Sequence, residues 1–333
     1  MTVIAAVKEV SESFASIGVL PKRALFLGHA SYEPRSTAIA SRDLGLLGIE
    51  RAFIVASSVS LQKLPAYQES ERTITRRMEE VGAVVTTLSF DRDRLLDYLQ
   101  RLEGEIKDAF DKVGFDALIV DSTTFPKDRL WLTVDYLKIS RPDVRLIVLY
   151  VEPDAYNTEI VPEGAGWLSA GVKRVSAMPR FNGYQHSDRP SLLIVIVGHE
   201  KERMQITVRN IEPQKLVLIE QGAQQHGSVS PKLPSQLAGY IGADFAHVID
   251  LDKRYSAGSR DHLAVYIAIG DIFERFGKEY NIIVSANGTK LQSIGALMAC
   301  RENRDLTAVY TEPQVYNNES YSKGSGATWV LEI

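Results

Sequence analysis

A hexapeptide near the end of the chain, Ser285-Ala286-Asn287-Gly288-Thr289-Lys290, has residue types suited to holding a phosphate. Gly288 would let a ligand approach the backbone closely. The side chains of Ser285, Asn287 and Thr289 offer hydrogen bonds. Lys290 and the start of the following helix add positive potential for an anion. Because the spaced glycines of a Walker A loop are missing, the segment predicts a phosphate or nucleotide site of another kind. The alternative is an ordinary helix cap beside a solvated lysine.

The corresponding segment of the first half reads Asp121-Ser122-Thr123-Thr124-Phe125-Pro126-Lys127-Asp128. It keeps hydroxyl groups, including those of Ser122 and Thr123, but it loses the Gly-Thr-Lys order. Asp121 would repel a phosphate unless it met a base, a ribose hydroxyl or an arginine, and Arg129 is close in sequence. Its carboxylate could equally cap a helix. The two sites are therefore predicted to have diverged.

A histidine follows a glycine near the end of the first predicted strand of each half, at Gly28-His29 and at Gly198-His199. Histidine at a strand end can act as an acid, a base or a hydrogen-bond donor. Charged residues follow in both halves: Glu33 and Arg35 in the first, and Glu200, Glu202 and Arg203 in the second. No third catalytic partner can be identified, so a polar loop residue is the competing interpretation and catalytic residues stay unassigned.

One ten-residue phrase occurs twice, from Tyr150 to Glu159 and from Tyr310 to Glu319, with six of ten positions identical at an offset of 310 − 150 = 160 residues. Such self-similarity indicates a duplication and predicts a pseudo-twofold architecture. The phrase could supply a binding site with the following side chains: Glu152, Tyr156 and Asn157, and their counterparts Glu312, Tyr316 and Asn317. Alternatively the proline stops the strand, the tyrosine packs and the asparagine makes a turn.

The elements that must position these residues follow the same order in both halves. Short apolar runs alternate with amphipathic stretches, which predicts parallel strands covered by helices on both faces. The predicted strands are 24–27, 52–55, 84–88, 116–120, 146–149 and 172–176 in the first half, and 192–197, 215–219, 246–251, 281–284, 306–309 and 327–331 in the second. The predicted helices are 34–47, 92–110, 129–138, 203–210, 261–276 and 291–301.

This pattern predicts an α/β fold with two tandem Rossmann-like, doubly wound parallel-sheet domains from an internal duplication. A chain of 333 residues can hold two such domains. We expect the first at residues 1–178 and the second at residues 191–333. The segment 179–190, with Gly183 and Pro190 among polar residues, is the predicted linker.

Composition narrows the function further. A net charge of −4 argues against broad electrostatic binding of long nucleic acid, although a short nucleotide needs only a local site. The longest apolar run, 192–197, is far shorter than a bilayer span and the N-terminus has no signal-peptide pattern, so we expect a cytoplasmic protein without membrane contact. The single cysteine, Cys300, excludes an internal disulfide and reads as a small buried residue. We expect no metal, and a conventional dinucleotide cofactor is disfavoured because GxGxxG is missing.

The two Rossmann-like halves and the Ser-Ala-Asn-Gly-Thr-Lys loop, set between a central strand and the apolar helix that starts at Leu291, resemble the CARF (CRISPR-associated Rossmann fold) superfamily. Its members are the ligand-sensing domains of CRISPR-associated and related antiviral proteins, in which a Gly-Thr-Lys loop contacts cyclic oligonucleotides. As a fused, asymmetric tandem, the chain is also similar to SAVED domains, which look like two joined CARF units. The resemblance implies ligand binding by these residues: Ser285, Asn287, Gly288, Thr289 and Lys290, with Gly28, His29 and Ser31 at the first strand end.

The resemblance implies a cyclic oligoadenylate or similar messenger, and the departure at 121–127 argues against a symmetric cyclic ligand. The predicted function is a second-messenger sensor in a prokaryotic antiviral defence or signalling system that acts through a separate effector protein; a homo-oligomer stays open. One alternative is a metal-independent ring-nuclease-type phosphodiesterase, in which Lys290 and the hydroxyls of Ser285 and Thr289 hold the scissile phosphate while a ligand 2′-hydroxyl attacks. Others are a different enzyme on the same scaffold, or a structural subunit with vestigial clefts.

Overall fold

The computed structural model of the protein describes residues 7–10, 14–17, 19–56, 64–91, 93–157, 167–222, 239 and 241–333. The chain forms two compact units, Met1–Glu163 with Asn318–Ile333, and Gly164–Asn317. Arg92, the predicted start of a helix, and positions 158 and 159 of the first repeated phrase lie outside the described residues.

The strands, numbered in chain order, alternate with helices as the sequence predicts. They are β1 Lys8–Val10, β2 Ala24–His29, β3 Ile49–Ala56, β4 Val84–Ser89, β5 Ala117–Asp121, β6 Arg145–Val151, β7 Ala155–Tyr156, β8 Ser169–Ala177, β9 Ser191–Ile196, β10 Lys215–Gln221, β11 Tyr255–Ala257, β12 Asn281–Ala286, β13 Thr307–Tyr316, β14 Ser322–Lys323 and β15 Thr328–Glu332. The α-helices are α1 Pro65–Glu80, α2 Leu95–Lys112, α3 Lys127–Ser140, α4 Lys201–Ile211, α5 His262–Phe276 and α6 Lys290–Glu302. Short 3₁₀ helices span Phe14–Ile17, Pro34–Thr37, Gly45–Leu47 and Ala243–Val248.

The sheets of the two units share one strand order over six strands, and β1 is an additional edge strand of the first sheet. Within the described residues, the first unit has a seven-stranded sheet in the order β1-β15-β6-β5-β2-β3-β4, and the second has a six-stranded sheet in the order β11-β10-β9-β12-β13-β8. The strands from β6 to β4 and from β13 to β11 are parallel. In each sheet the chain order reverses beside the first parallel strand, β2 or β9. The predicted fold class, α/β with two Rossmann-like units, is confirmed.

The strand that closes each sheet comes from the other half of the chain. β8, predicted to close the first half, pairs antiparallel with β13 in the second unit. β15, predicted to close the second half, pairs antiparallel with β6 in the first unit. The two units therefore differ from the predicted domains 1–178 and 191–333. The physical reason is that a local apolar pattern specifies a strand but not its long-range partner.

The predicted linker 179–190 is a packed segment of the second unit. Met178 N donates to Ala308 O at 2.8 Å, and Ala308 N donates to Phe181 O at 2.8 Å. Thr307 Oγ1 donates to Asn182 O at 2.7 Å, and Phe181 is buried. The segment therefore runs beside the start of β13 and joins β8 to β9 within one sheet. Its proline and glycine content marks an irregular path, and not a boundary between units.

Three local predictions also change. The predicted helix 34–47 is two 3₁₀ turns, because hydroxyl groups bond to nearby carbonyls: Ser36 Oγ donates to Glu33 O at 2.8 Å and Ser41 Oγ donates to Thr37 O at 2.9 Å. The first three residues of the predicted strand 246–251 belong to the 3₁₀ helix Ala243–Val248, and Ile249 forms only an isolated parallel bridge with Leu216. The edge of the sheet is formed by β11. The helix α1 was not predicted.

The structure bears on two expectations drawn from composition, one about membrane-spanning segments and one about Cys300. Among the described residues, none of the helices combines the length and the hydropathy that crossing a membrane requires. Cys300 is buried within α6, and burial raises the pKa of its thiol to about 12. It is the small buried residue that the sequence indicated.

Candidate functional site

The candidate site of each unit lies at the carboxyl ends of its central strands, where the chain order reverses. In a doubly wound sheet the connections after these two neighbouring strands leave toward opposite faces, and a crevice forms between them. β2 and β5 meet there in the first unit, and β9 and β12 meet there in the second. The predicted ligand segments 121–123 and 285–290 begin in the last residues of β5 and β12 and continue into the loops after them, so both lie at these strand ends.

In the second unit the two loops approach each other backbone to backbone. A Cβ atom on Gly198 would overlap the carbonyl oxygen of Asn287. A Cβ atom on Gly288 would lie 2.7 Å from Ile196 Cγ2 and would overlap the side-chain oxygen of Gln292. Both positions therefore require glycine. The close approach gives the loop 285–290 a fixed place beside the end of β9.

A capping box fixes the same loop to α6. Gln292 N donates to Thr289 Oγ1 at 3.2 Å, and Thr289 N donates to Gln292 Oε1 at 2.9 Å. The fully buried Gln292 also donates through Nε2 to Ala257 O at 3.1 Å and to Gly258 O at 3.0 Å. The sequence analysis missed Gln292, although Thr-x-x-Gln is the signature of this cap. Gln292 thus connects the loop to the end of β11.

The polar side chains of the loop bond mainly within the protein. Asn287 Nδ2 donates to Ser285 Oγ at 2.9 Å, and both residues are buried. The hydroxyl of Thr289 donates its proton to Ser259 O while it accepts from Gln292 N. The ordinary helix cap and the ligand loop are therefore not exclusive interpretations, because the cap makes the loop rigid. Lys290 is half-buried at the first residue of α6, where the helix terminus adds positive potential.

The first unit places a buried carboxylate at the corresponding point. Asp121 Oδ1 accepts from Thr123 N at 3.0 Å and from Thr123 Oγ1 at 2.5 Å, and Ser122 Oγ donates to Leu149 O at 2.8 Å. Burial raises the pKa of the Asp121 carboxyl to about 6, although the Thr123 hydrogen bonds and the charge of Arg35 lower it. Asp121 does not cap α3, whose N-cap residue is Pro126.

The arginine that the sequence suggested for Asp121 has another partner. Arg129 Nη1 donates to Asp128 Oδ2 at 2.8 Å, and the guanidinium lies 4.5 Å from the centroid of the Phe90 ring. Arg35, which is remote in sequence, is the arginine whose charge acts on Asp121. Nearness along the chain was a poor guide here because α3 carries Arg129 away from the end of β5.

The glycine–histidine pairs of the two halves are not equivalent. Gly28 and His29 lie inside β2, whereas Gly198 and His199 lie beyond the end of β9. His29 is buried, its ring centroid lies 5.2 Å from that of Phe125, and its carbonyl accepts from Thr124 Oγ1 at 2.9 Å. Ser31 follows the strand and its hydroxyl accepts from Glu33 N at 3.3 Å. These contacts brace the first strand end.

The repeated phrase forms a two-stranded ribbon at the edge of each site. In the second unit β13 continues past Pro313 to Tyr316, with a register shift between Glu312 and Pro313, so the proline does not stop the strand. We call residues 313–316 with 169–172 the second ribbon. In the first unit β6 ends at Val151, and β7 then pairs with β14; we call this pair the first ribbon.

The phrase residues hold these ribbons together. Asn157 N donates to Tyr321 O at 3.1 Å, and Asn317 N donates to Leu168 O at 2.9 Å, at matching ends of the two ribbons. Tyr316 and Tyr310 join their hydroxyls at 3.2 Å. The buried Glu312 forms an ion pair of 2.8 Å with Arg174, whereas its counterpart Glu152 is half-buried and its backbone N donates to Ala327 O at 3.0 Å.

The described residues contain no cluster of side chains suited to binding a metal ion. No group of three or more histidine, cysteine, aspartate or glutamate side chains is arranged there to hold an ion. The acidic residues of the two strand ends instead bond to hydroxyl groups, backbone amides and arginines.

Comparison with known proteins identifies a similar fold. No protein-family model matches the chain, and no curated protein matches it in sequence. A solved Type III CRISPR defence DNA nuclease activated by cyclic oligoadenylate superimposes with a TM-score of 0.53 at 9% identity, covering 91% of this chain and 67% of that one. The cytoplasmic domain of a prokaryotic cation chloride cotransporter covers 90% of this chain and 98% of that one at 10% identity, but its TM-score of 0.28 carries no argument. The first likeness shows that the two-unit α/β fold also occurs in a CRISPR nuclease.

Proposed function

We propose that the protein is a sensor that binds a nucleotide second messenger, a cyclic oligonucleotide, in a prokaryotic antiviral defence or signalling system and acts through a separate effector protein. The observation that carries the proposal is the rigid loop 285–290 at the reversal point of the second sheet, with Gly288 against Ile196 and Lys290 opening α6. A doubly wound sheet binds nucleotides at this point. The likeness to a nuclease activated by cyclic oligoadenylate adds support for this ligand class.

The contacts of the loop favour binding over cleavage. A phosphodiesterase that held the scissile phosphate through Thr289 would need its hydroxyl proton, and that proton is donated to Ser259 O. Binding needs only the backbone near Gly288, the helix terminus and the charge of Lys290. Within each unit the repeated phrase supplies further candidate ligand contacts: Glu152, Tyr156 and Asn157 in the first, and Glu312, Tyr316 and Asn317 in the second.

The two strand ends differ in their suitability for a phosphate. In the first unit the Asp121 carboxyl replaces Ser285, and the Thr123 hydroxyl is engaged by Asp121 and by Val151 N. A carboxylate in this position disfavours an anion. We therefore assign the anionic part of the ligand to the second unit.

Lys290→Ala tests the proposal, and Lys127→Ala is the matched control because Lys127 is likewise the first residue of its helix, α3. Removing one charge-assisted contact should weaken binding of cyclic tetraadenylate by about tenfold or more. Lys127→Ala should leave the affinity within about twofold, because the carboxyl of Asp121 disfavours a phosphate at that helix. Affinity is measured by calorimetry, with linear oligoadenylate as a second ligand. Failure of the unaltered protein to bind either ligand would overturn the sensor proposal, and equal losses in both variants would overturn the asymmetry.

A further inference from the structure

A buried glutamate–arginine pair joins three segments at the carboxyl end of the first sheet. Arg35 Nη2 donates to Glu33 Oε2 at 2.7 Å, and Arg35 Nη1 donates to Val151 O at 2.8 Å. Ser322 Oγ donates to the same Glu33 oxygen at 3.1 Å. Arg35 is only 3% exposed. The pair therefore ties the loop after β2 to the end of β6 and to β14.

The second unit contains the same arrangement. Arg203 Nη1 donates to Glu200 Oε2 at 2.5 Å, and Arg203 Nη2 donates to Thr311 O at 2.5 Å. Ser169 Oγ donates to Glu200 Oε1. Arg203 is 6% exposed. We call each set of four residues a clasp, with the first clasp at Glu33, Arg35, Val151 and Ser322, and the second clasp at Glu200, Arg203, Thr311 and Ser169.

The two clasps are equivalent position by position. Val151 and Thr311 occupy the same place in the repeated phrase, since 311 − 151 = 160, the offset of the repeat. Ser322 pairs with Tyr156 and Ser169 pairs with Tyr316, which also correspond in the phrase. The glutamate and arginine, however, are two residues apart in the first half and three apart in the second. Both halves have kept the contacts while the local sequence that provides them has changed.

Stability alone is a weak explanation for two such pairs. Replacing a buried ion pair with apolar groups of similar volume is often neutral or stabilising, because burying two charges costs desolvation energy. Holding one segment in register with another is the better attested role of buried polar groups. Each clasp lies where the repeated phrase begins, and its serine belongs to the strand that comes from the other half of the chain.

The first clasp also connects to the loop after β5. Val151, whose carbonyl accepts from Arg35, donates its N–H to Thr123 Oγ1 at 3.1 Å, and Thr123 Oγ1 donates to Asp121 at 2.5 Å. A continuous chain of hydrogen bonds thus runs from Ser322 through Glu33 and Arg35 to Asp121. In the second unit Thr311 Oγ1 bonds to Thr207 Oγ1 at 2.5 Å, which ties that clasp to α4.

We propose that Arg35 and Arg203 are positioning residues, each of which sets its ribbon against the strand-end loops of its unit before a ligand binds. Each arginine does this by holding its glutamate, the carbonyl of the second residue of the repeated phrase and, through the glutamate, the serine of β14 or β8. The consequence for ligand affinity rests on the proposed function. The positioning of the ribbon does not depend on the proposed function, and it can be measured on the ligand-free protein.

Amide hydrogen exchange in the ligand-free protein tests the positioning. Glu200→Gln combined with Arg203→Met removes both charges at similar volume, so folding should be retained. Amides of residues 168–172 and 314–317 should then exchange about tenfold faster, while those of β9 and β12 stay protected. Ser169→Ala, which removes only the hydroxyl of the exchanged strand, should give a smaller increase in the same amides.

The first clasp supplies the matched control. Glu33→Gln combined with Arg35→Met should speed exchange at residues 155–157 and 320–323 and leave the second ribbon unchanged. Arg203→Lys keeps the charge, but a lysine cannot donate in a fork to both Glu200 and Thr311 O. This variant should keep the urea midpoint of unfolding near that of the unaltered protein but should not keep the protection of the second ribbon. Unchanged exchange in the ribbon, or an equal increase throughout the unit, would overturn the positioning role.

Ligand affinity tests the functional consequence. With cyclic tetraadenylate as the probe, the Glu200→Gln and Arg203→Met variant should bind about tenfold more weakly, because a loosened ribbon must be ordered on binding. Unchanged affinity beside a loosened ribbon would overturn the link to the ligand. If the unaltered protein does not bind, the proposed function fails, and the exchange result still decides whether the clasps position the ribbons.

Discussion

Asp121 and Ser285 show how a single residue can change a site while the backbone stays the same. Asp121 is the last residue of β5, and Ser285 is the last but one of β12. Each accepts a hydrogen bond from the residue two positions later, Thr123 or Asn287. The serine adds no charge, whereas the aspartate brings a carboxyl group into a buried position. Its pKa is raised to about 6 by that burial, so its charged form is disfavoured in the folded protein.

Asp121→Asn should stabilise the protein at neutral pH. The pKa rises from 3.8 unfolded to about 6 folded, so Asp121 favours folding most below pH 4 and this contribution is lost as the pH rises through about 6. A shift of about two units corresponds to at most about 3 kcal/mol. The asparagine keeps an oxygen that can accept from Thr123. Urea unfolding between pH 4 and pH 8 should show a flatter profile for the variant and a higher free energy of unfolding at pH 7.

Asp116→Asn is the control with the opposite sign. Backbone hydrogen bonds from Lys22 and Arg23 outweigh partial desolvation and lower the pKa of Asp116. Its contribution to stability is present at neutral pH and is lost as the pH falls through its lowered pKa. The asparagine variant should therefore be less stable at pH 7 than the unaltered protein. If Asp121→Asn and Asp116→Asn changed the free energy of unfolding at pH 7 in the same direction, the raised pKa of Asp121 and the lowered pKa of Asp116 would be contradicted.

At the scale of elements, the packing of α5 on α6 depends on one glycine. A Cβ atom on Gly295 of α6 would overlap the backbone carbonyl of His262 at the start of α5. Gly270 of α5 has no atom within 4 Å of such a Cβ, among the residues that the structure describes. Neither glycine has a positive φ, so conformational strain does not distinguish them. The space available for a Cβ atom therefore predicts opposite effects of a glycine-to-alanine substitution on stability at the two positions.

Gly270→Ala should raise the free energy of unfolding by about 0.5–1 kcal/mol, because alanine loses less conformational entropy in a helix. Gly295→Ala should lower it by about 1–3 kcal/mol, because the backbone of α5 must move away. Urea unfolding of the two variants side by side measures both. Equal gains in stability would show that α5 and α6 are not in close contact.

The sequence predicted the local elements better than their partners. Fully buried runs such as 192–196 and 117–120 were recognised as strands, and Asp261 was placed at the start of α5, where it is the N-cap. The 3₁₀ turns at 34–47 were missed because hydroxyl-to-carbonyl bonds compete with the helix without altering its apolar spacing. The clasps could not be found locally, since Arg35 meets Val151, and Glu33 meets Ser322, only through the fold.

For the candidate site, the loop 285–290 was predicted in the right place but with a different use of its side chains. The sequence shows which groups can form hydrogen bonds. It does not show that Ser285 bonds to Asn287 or that Thr289 donates to Ser259, whereas the bond between Thr289 and Gln292 has a local signature. The assignment of these residues to a ligand therefore stays a prediction.

At the scale of the whole molecule, β15 closes the sheet of the first unit and β8 closes that of the second. This pairing leads to a prediction that the domains 1–178 and 191–333 would not give. A chain that ends at Asn317 lacks β14 and β15, which belong to the first unit. Amides of β6 should lose protection because β6 loses its antiparallel neighbour, while β13 keeps β8 and stays protected. Hydrogen exchange of the shortened protein measures both strands. If β13 lost protection and β6 kept it, the result would contradict the observed pairing of β15 with β6 and of β8 with β13.

The position of β15 also bears on the order in which the protein can be completed during synthesis. A ribosome releases the residues of the second unit, through Asn317, before it releases β14 and β15. Domains usually fold in the order in which they emerge, the N-terminal one first. Here the unit that emerges first must wait for β15, and the edge of β6 stays uncovered until that strand has been synthesised. The nascent chain therefore carries an unpaired strand edge for longest in the half that was made earliest, and such edges are sites of mispairing.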